Sequence, residues 1–396
     1  MNTPIATKKH LLFPEPVCPR SGPTGYAEPS VNWFKQSTTT EAAQCRTFLN
    51  DWYAHFPDID GNFAARLRSE DDVDHSQAVD ELFAFRLLSD GDFEVRYEEN
   101  GTGPDFRVYD DDALVAAVEV VSLFEKEEWS AARKRISLLV DALNEQLGPA
   151  QDWYISFDED YGHIDFDGDL PFPSEDIAVS KCVAFLRDVL AELPSASSFD
   201  NAGSDSFLIR RFENAGQNFV FEFHPRHKPS RIVDEEIVAF RPSVGGWVNV
   251  AERLKEKIGK KKPKRYDIEG VPYVVFVVLH DPFGDEHDVA NAVYGRNDFR
   301  IEGERWLRNN DGLFGLQARN RAKNSRISSV VHAALNFRNV ESSVVSILEN
   351  PFAAHPFPAG VMLHTKRFGI DENGEMSWQI RQGGLHGLSS ARIIGS

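Results

Sequence analysis

Cysteine is scarce in this chain, with only Cys18, Cys45 and Cys182 among 396 residues. None falls in a CxxC pair or another zinc spacing, so neither a disulfide framework nor a structural zinc module is encoded. Long apolar runs are lacking as well. The longest, Tyr273 to Leu279, is far short of the ~18–20 residues that cross a bilayer as a helix. The N-terminal stretch does not have the basic-then-apolar form of a secretion signal. These features predict a cytoplasmic protein with reduced thiols and no membrane partner. Basic charge is the minority, 43 Lys and Arg against 62 Asp and Glu, for a net charge of −19. That balance opposes broad, non-specific nucleic-acid binding, which phosphate neutralisation drives. The chain has no P-loop, dinucleotide fingerprint, internal repeat or heptad, and no legible Ser-His-Asp or Cys-His arrangement.

What is present is an ordinary globular composition, 41% hydrophobic and 27% charged, able to bury a substantial core. The length suits one large domain or two to three average ones. Charge is unevenly spread. Residues 253–265 (RLKEKIGKKKPKR) are dense in Lys and Arg with a single Glu, residues 317–326 carry four basic residues and no acid, and 151–176 is strongly acidic. A local basic surface on an acidic chain is compatible with this pattern.

The chemistry concentrates between Gly103 and Val121. Residues 105–109 (DFRVY) alternate apolar and polar, and 114–121 (LVAAVEVV) are β-branched and apolar, so both read as strands. Asp110, Asp111 and Asp112 between them suit a turn. A turn near Asp112 places Asp105 opposite Glu119 in an antiparallel pair. Period-two alternation then puts Phe106, Val108, Ala116, Val118 and Val120 on one face, and Asp105 with Glu119 on the other. Carboxylates so placed, roughly 5 Å apart at Cβ, repel unless a positive group intervenes. A hard divalent cation, held by one or two carboxylates plus waters, meets that need. The competing reading is a surface hairpin whose acids are solvated and paired with Arg107 or another cation.

The order of these elements, a helix carrying Glu81, then Gly103-x-Asp105 with Pro104 between, then a strand centred on Glu119, resembles the PD-(D/E)XK, or restriction-endonuclease-like, nuclease superfamily. The resemblance covers about 45 positions. It implies that Asp105 and Glu119 bind Mg²⁺ or Mn²⁺, with the Val120 carbonyl as a further ligand, and that Glu81 supports the site through water. It also implies a lysine two residues after the second acid, where this chain has Val121. A displaced lysine can substitute. In similar proteins one is found on a helix just before a Tyr and an apolar strand, which here points to Lys257, ahead of Tyr266 and the strand 272–279. The implied activity is metal-dependent phosphodiester hydrolysis in DNA before RNA. The alternative, favoured by Val121 and the net charge, is a nuclease fold retained as a catalytically inactive binding or scaffold module.

Along the chain, 1–75 reads as an irregular arm followed by helices. Thr38 to Glu41 has capping-box form, with a helix to His55 and a shorter one over 62–68. Core segments are expected at 76–149 and 231–300, interrupted by an α+β insertion at 150–230 and followed by a C-terminal elaboration at 301–396. Helices are predicted over 76–88, 125–147, 174–193 and 246–260. Strands are predicted over 93–97, 105–109, 114–121 and 272–279, with another at 327–336. The expected fold is therefore α/β, a restriction-endonuclease-like mixed sheet flanked by helices. The Asp165, Asp167, Asp169 series lacks the later Gly and Glu of a calcium loop and reads as an acidic loop. Asp285 reads as the cap of a helix from Glu286 to Tyr294, rather than as part of a metal cluster with His280, Asp281 and His287.

Overall fold

The computed structural model describes residues 11–22, 24–99, 103–147, 152–159, 176–195, 198, 208–214, 217–226, 238–240, 249–261, 266, 268–281, 284–300, 305–317, 321–336, 342–358, 360–362, 366–370 and 376–380. The Asp165 series, His364 and His386 lie outside the described residues. The chain divides into two units, one formed by Met1–Pro23, Pro29–Phe124 and Asn249–Ser396, the other by Thr24–Glu28 and Glu125–Val248.

The first unit opens with helices α1 (Val31–Gln36), α2 (Thr40–His55), α3 (Asn62–Leu67) and α4 (Asp72–Leu88), then strands β1 (Glu94–Tyr97), β2 (Phe106–Asp110) and β3 (Ala113–Leu123). The second unit holds α5 (Glu127–Leu147), β4 (Trp153–Glu159), α6 (Val179–Glu192), β5 (Leu208–Asn214), β6 (Gln217–Pro225) and β7 (Val238–Phe240). The chain then returns to the first unit with α7 (Val250–Lys260), β8 (Tyr273–Leu279) and α8 (Glu286–Tyr294). Two short ribbons follow, β9 (Asn297–Arg300) with β10 (Arg305–Arg308) and β11 (Gly315–Leu316) with β12 (Ala322–Lys323). Strands β13 (Ile327–Ala334), β14 (Val344–Glu349), β15 (Lys366–Ile370) and β16 (Met376–Ile380) complete it.

The first unit is a mixed α/β arrangement around an eight-stranded sheet of order β1-β2-β3-β8-β13-β14-β15-β16. Strands β1 to β3 run as an antiparallel meander, whereas β3, β8 and β13 are parallel neighbours. The near-continuous apolar sequence of β8 fits its central place, since parallel strands are covered on both faces. On one face Val118, Val120, Val274, Phe276, Val278 and Val331 pack with Leu82 and Phe83 of α4 in the main core. On the other, α7 packs on β3 and α8 on β13. The strands expected at 93–97, 105–109, 114–121 and 272–279 lie side by side as one half of this sheet. Strands β13 to β16, from the segment read as a C-terminal elaboration, are its other half. Of these, β13 matches the strand read at 327–336, whereas short sequences such as KRFGI and MSWQI lack the sustained pattern that makes a strand legible.

Several helix starts differ from expectation, α5 beginning at Glu127 rather than 125 and α6 at Val179 rather than 174. Helix α2 is capped by Thr39, whose side chain accepts from the Ala42 N–H, one residue beyond the expected capping box. Helix α4 begins at Asp72, not Ser76, because the acidic tract acts as a start rather than a break. The Asp71 side chain accepts from Val73 and Asp74 N–H groups, and Asp72 and Asp74 sit in the first turn, where carboxylates complement the helix dipole.

In the second unit a four-stranded sheet of order β5-β6-β4-β7 buries Ile155, Phe219, Phe221 and Phe223 with Leu139 and Val140 of α5 and Leu186 of α6. Helix α5, expected with the first core segment, clusters here. No helix among the described residues is long and apolar enough to cross a membrane.

Candidate active site

The hairpin of β2 and β3 has the register that the sequence predicts: Phe106 pairs with Val118, Arg107 with Ala117 and Val108 with Ala116. Val115 is then passed over before Tyr109 pairs with Leu114, a one-residue bulge. Asp111, at φ 51°, takes the left-handed position in the turn, a conformation that Asp tolerates better than most residues. One step back from Phe106, Asp105 falls beside Glu119. Its Oδ2 accepts the Val120 N–H at 2.6 Å. The N–H and C=O of one strand residue point to the same neighbour, so the Val120 carbonyl also faces the Asp105 side, where β2 has ended. Phe106, Val108, Ala116, Val118 and Val120 all enter the core, leaving the two acids on the opposite parity.

Glu119 is 3% exposed. Its Oε1 accepts Lys261 Nζ at 2.5 Å and its Oε2 accepts the Tyr266 hydroxyl at 3.0 Å. Burial, and then the negative charges of Glu119 and Glu81, push the Asp105 carboxyl up to about 8, while the Val120 N–H and Lys261 act in the opposite sense. Burial and the nearby carboxylates thus disfavour a bare Asp105 charge, which favours either a bound proton or an added cation. Tyr273 completes this wall. It is fully buried, its hydroxyl lies beside Glu119, and burial followed by Glu119, Tyr266 and Asp105 suppresses its ionisation.

Glu81, for which the resemblance implies support of the site through water, is held by protein groups. The Arg66 guanidinium on α3 grips it with two bonds of 2.7 and 3.0 Å, and the Tyr97 hydroxyl on β1 donates to it at 2.8 Å. It still lies near enough to Asp105 to raise that group's pKa.

The structure places Lys257 away from the acids. Its Nζ donates to the Ser122 carbonyl at 2.5 Å, and burial, then Lys261 and Arg253, lower its pKa. Lys261 reaches Glu119 because it is the C-cap residue, already extended at φ −82°, ψ 104°, so helical spacing does not govern where it points. Val121 is buried at 1% exposure. Sequence reasoning named Tyr266 and placed Lys261 within the basic run 253–265 without assigning either to Glu119, and did not reach Arg66, Tyr97 or the place of Tyr273 beside that acid. The start of the apolar strand at Tyr273, paired with Ala117, was the one available signal for the last.

A second polar cluster lies toward the end of β3. Asp80, on α4, is buried and accepts Ser122 Oγ at 2.5 Å and His280 Nε2 at 2.7 Å, and Phe124 stacks on the His280 ring at 4.7 Å. The hydroxyl donates to the carboxylate rather than to the imidazole, so this is a satisfied buried acid and not a nucleophilic triad. Asp281 pairs with Arg253 at 2.6 Å, and Asp285 caps α8 in a reciprocal box with Asp288, as expected.

Among the described residues no group of three or more His, Cys, Asp or Glu side chains converges as a metal-holding set. Asp105, Glu119 and the Val120 carbonyl form a smaller, all-oxygen set. That set suits Mg²⁺ or Mn²⁺ completed by water, not a thiolate- or imidazole-seeking metal. Compared with known families, characterised proteins and solved structures, the chain finds no match.

Proposed function

We propose that the chain is a divalent-metal-dependent phosphodiesterase of the restriction-endonuclease-like type, acting on DNA before RNA. The observation that carries this reading is Asp105, one residue before β2, beside Glu119 of β3, with Lys261 on the second acid. Asp105, Glu119 and the Val120 carbonyl would hold Mg²⁺ or Mn²⁺. The cation would supply Lewis acidity toward a phosphoryl oxygen and lower the pKa of water. Lys261 contributes positive charge where negative charge develops on phosphate, the part that Val121 cannot play. Tyr266 fixes the Glu119 carboxylate, and Arg66 with Tyr97 holds Glu81, whose charge raises the Asp105 pKa.

One observation favours a second reading, a fold kept for binding alone: Lys261 already neutralises Glu119, and Arg66 neutralises Glu81. Calorimetric titration with Mn²⁺ of wild type, Asp105→Ala and Glu119→Ala, followed by incubation with plasmid and single-stranded DNA, separates the two. Saturable binding lost in both variants, together with metal-dependent cutting, supports the phosphodiesterase. Binding without cutting leaves the binding module, and equal binding by variants and wild type removes the site assignment.

A further inference from the structure

Directly behind the Glu119 wall lies a cavity of about 350 Å³, lined by Tyr266, Tyr273, Arg326, His355 and the turn Ile268–Val271. Its size is that of a small-molecule pocket, enough for one nucleotide and too small for a duplex. Its walls are tied to each other. The Tyr273 N–H donates to Ser328 Oγ at 2.9 Å, and that hydroxyl donates to the His355 carbonyl at 2.6 Å. The turn is closed by a bond from the Val271 N–H to the Ile268 carbonyl and by Gly270 at φ 83°, a backbone state that favours glycine.

The side chains of the cavity call for a ligand of particular chemistry. Arg326 is exposed and makes no ion pair among the described residues, so a guanidinium fork is free for a phosphate. Tyr266 offers an aromatic ring at the same wall, while its hydroxyl is committed to Glu119. His355 stands exposed at the rim, and so does the Glu269 carboxylate, which disfavours a second phosphate close by.

We propose that this cavity is the subsite for a single nucleoside monophosphate unit, met as one nucleotide of a single-stranded nucleic acid threaded past Asp105 and Glu119. The base stacks against Tyr266 and the phosphate is held by Arg326. Stacking on aromatic rings gives affinity without demanding the large basic surface that a protein of net charge −19 lacks. The inference rests on the phosphodiesterase reading for its biological sense, but the pocket itself is testable without metal.

The test is fluorescence anisotropy of a labelled oligothymidylate with wild type, Arg326→Ala and His355→Ala, all in EDTA. Unlabelled oligothymidylate, thymidine monophosphate and duplex DNA serve as competitors. The expected result is saturable binding to wild type, weakened at least about tenfold in Arg326→Ala, the scale of one lost charged hydrogen bond. Competition should be stronger for the single strand than for duplex. Stronger competition by the free nucleotide than by the oligonucleotide would identify a mononucleotide site and overturn the threaded strand. No binding by wild type, equal binding by Arg326→Ala, or preference for duplex would overturn the pocket. A parallel Mn²⁺ titration of Arg326→Ala should match wild type. If wild type itself takes no Mn²⁺, the phosphodiesterase reading fails while the anisotropy result on the pocket stands.

Discussion

Lys261 rather than Lys257 meets Glu119, and the difference decides which lysine matters for chemistry. With Lys261→Ala, DNA cleavage should fall by about 10²-fold or more, the scale of losing one preorganised electrostatic partner. Mn²⁺ affinity should hold or tighten, since a competing cation has been removed from Glu119. Lys257→Ala should leave cleavage within a few-fold, because it releases only a backbone carbonyl beyond the acids. Cleavage rates of the two variants side by side check this, and a larger loss in Lys257→Ala would refute the placement. At a distance from the acids, His75 gives a pH prediction. It is 3% exposed, bonded through Nδ1 to the Leu67 carbonyl at 2.8 Å, and burial lowers its pKa below the usual 6.5. Below that value the unfolded chain takes up a proton that the native imidazole refuses. Stability therefore falls as pH drops through 6.5, by up to about 1.4 kcal/mol per pH unit from this group. Urea unfolding at about pH 7 and about pH 5 should show a smaller drop for His75→Gln than for wild type.

Among the elements, α4 couples the core to the site. It carries Leu82 and Phe83 into the sheet, Asp80 to Ser122, and Glu81 to Arg66 and Tyr97. Phe83 is fully buried, stacked on Trp52 at 5.7 Å and edge-on to Phe276 at 6.4 Å. Phe83→Ala should cost about 3–5 kcal/mol in denaturant unfolding. Asp71→Ala removes the cap that accepts two N–H groups and should cost about 1 kcal/mol. A cost of that size would also mark the acidic tract at 70–72 as a helix start. The hairpin of β2 and β3 shows the same local logic. Its register follows from alternating burial, because a one-residue slip would turn Phe106 and Val118 out of the core and Glu119 into it.

For the whole molecule, a cation that binds only the native arrangement of Asp105 and Glu119 stabilises the fold by mass action. At a free Mn²⁺ concentration about 100 times Kd, unfolding should cost ~2.7 kcal/mol more. Asp105→Ala should show no such gain, and equal shifts in variant and wild type would place the ion elsewhere. The net charge of −19 makes the wider surface a poor template for duplex DNA. On the proposed function, any affinity for nucleic acid would come from local features such as Lys261, Arg326 and Tyr266.

The sequence by itself determined the elements whose signals are local. Alternation gave the register that sets Asp105 beside Glu119, the apolar run gave the central strand β8, and Asp285 with Gly295 bounded α8. Those features depend on spacing along a few residues, which side-chain period translates directly into faces. Only the tertiary structure decided what stands across from the acids. Arg66, Tyr97, Lys261, Tyr266 and Tyr273 come from four other segments, and no local periodicity relates them to Glu81 or Glu119. Nor could a local pattern extend the sheet through β14 to β16, where strands are short and polar residues interrupt them. The electrostatics of Asp105 follow the same division: its identity and face are written in the hairpin, but its raised pKa comes from burial and from charges that the fold carries to it.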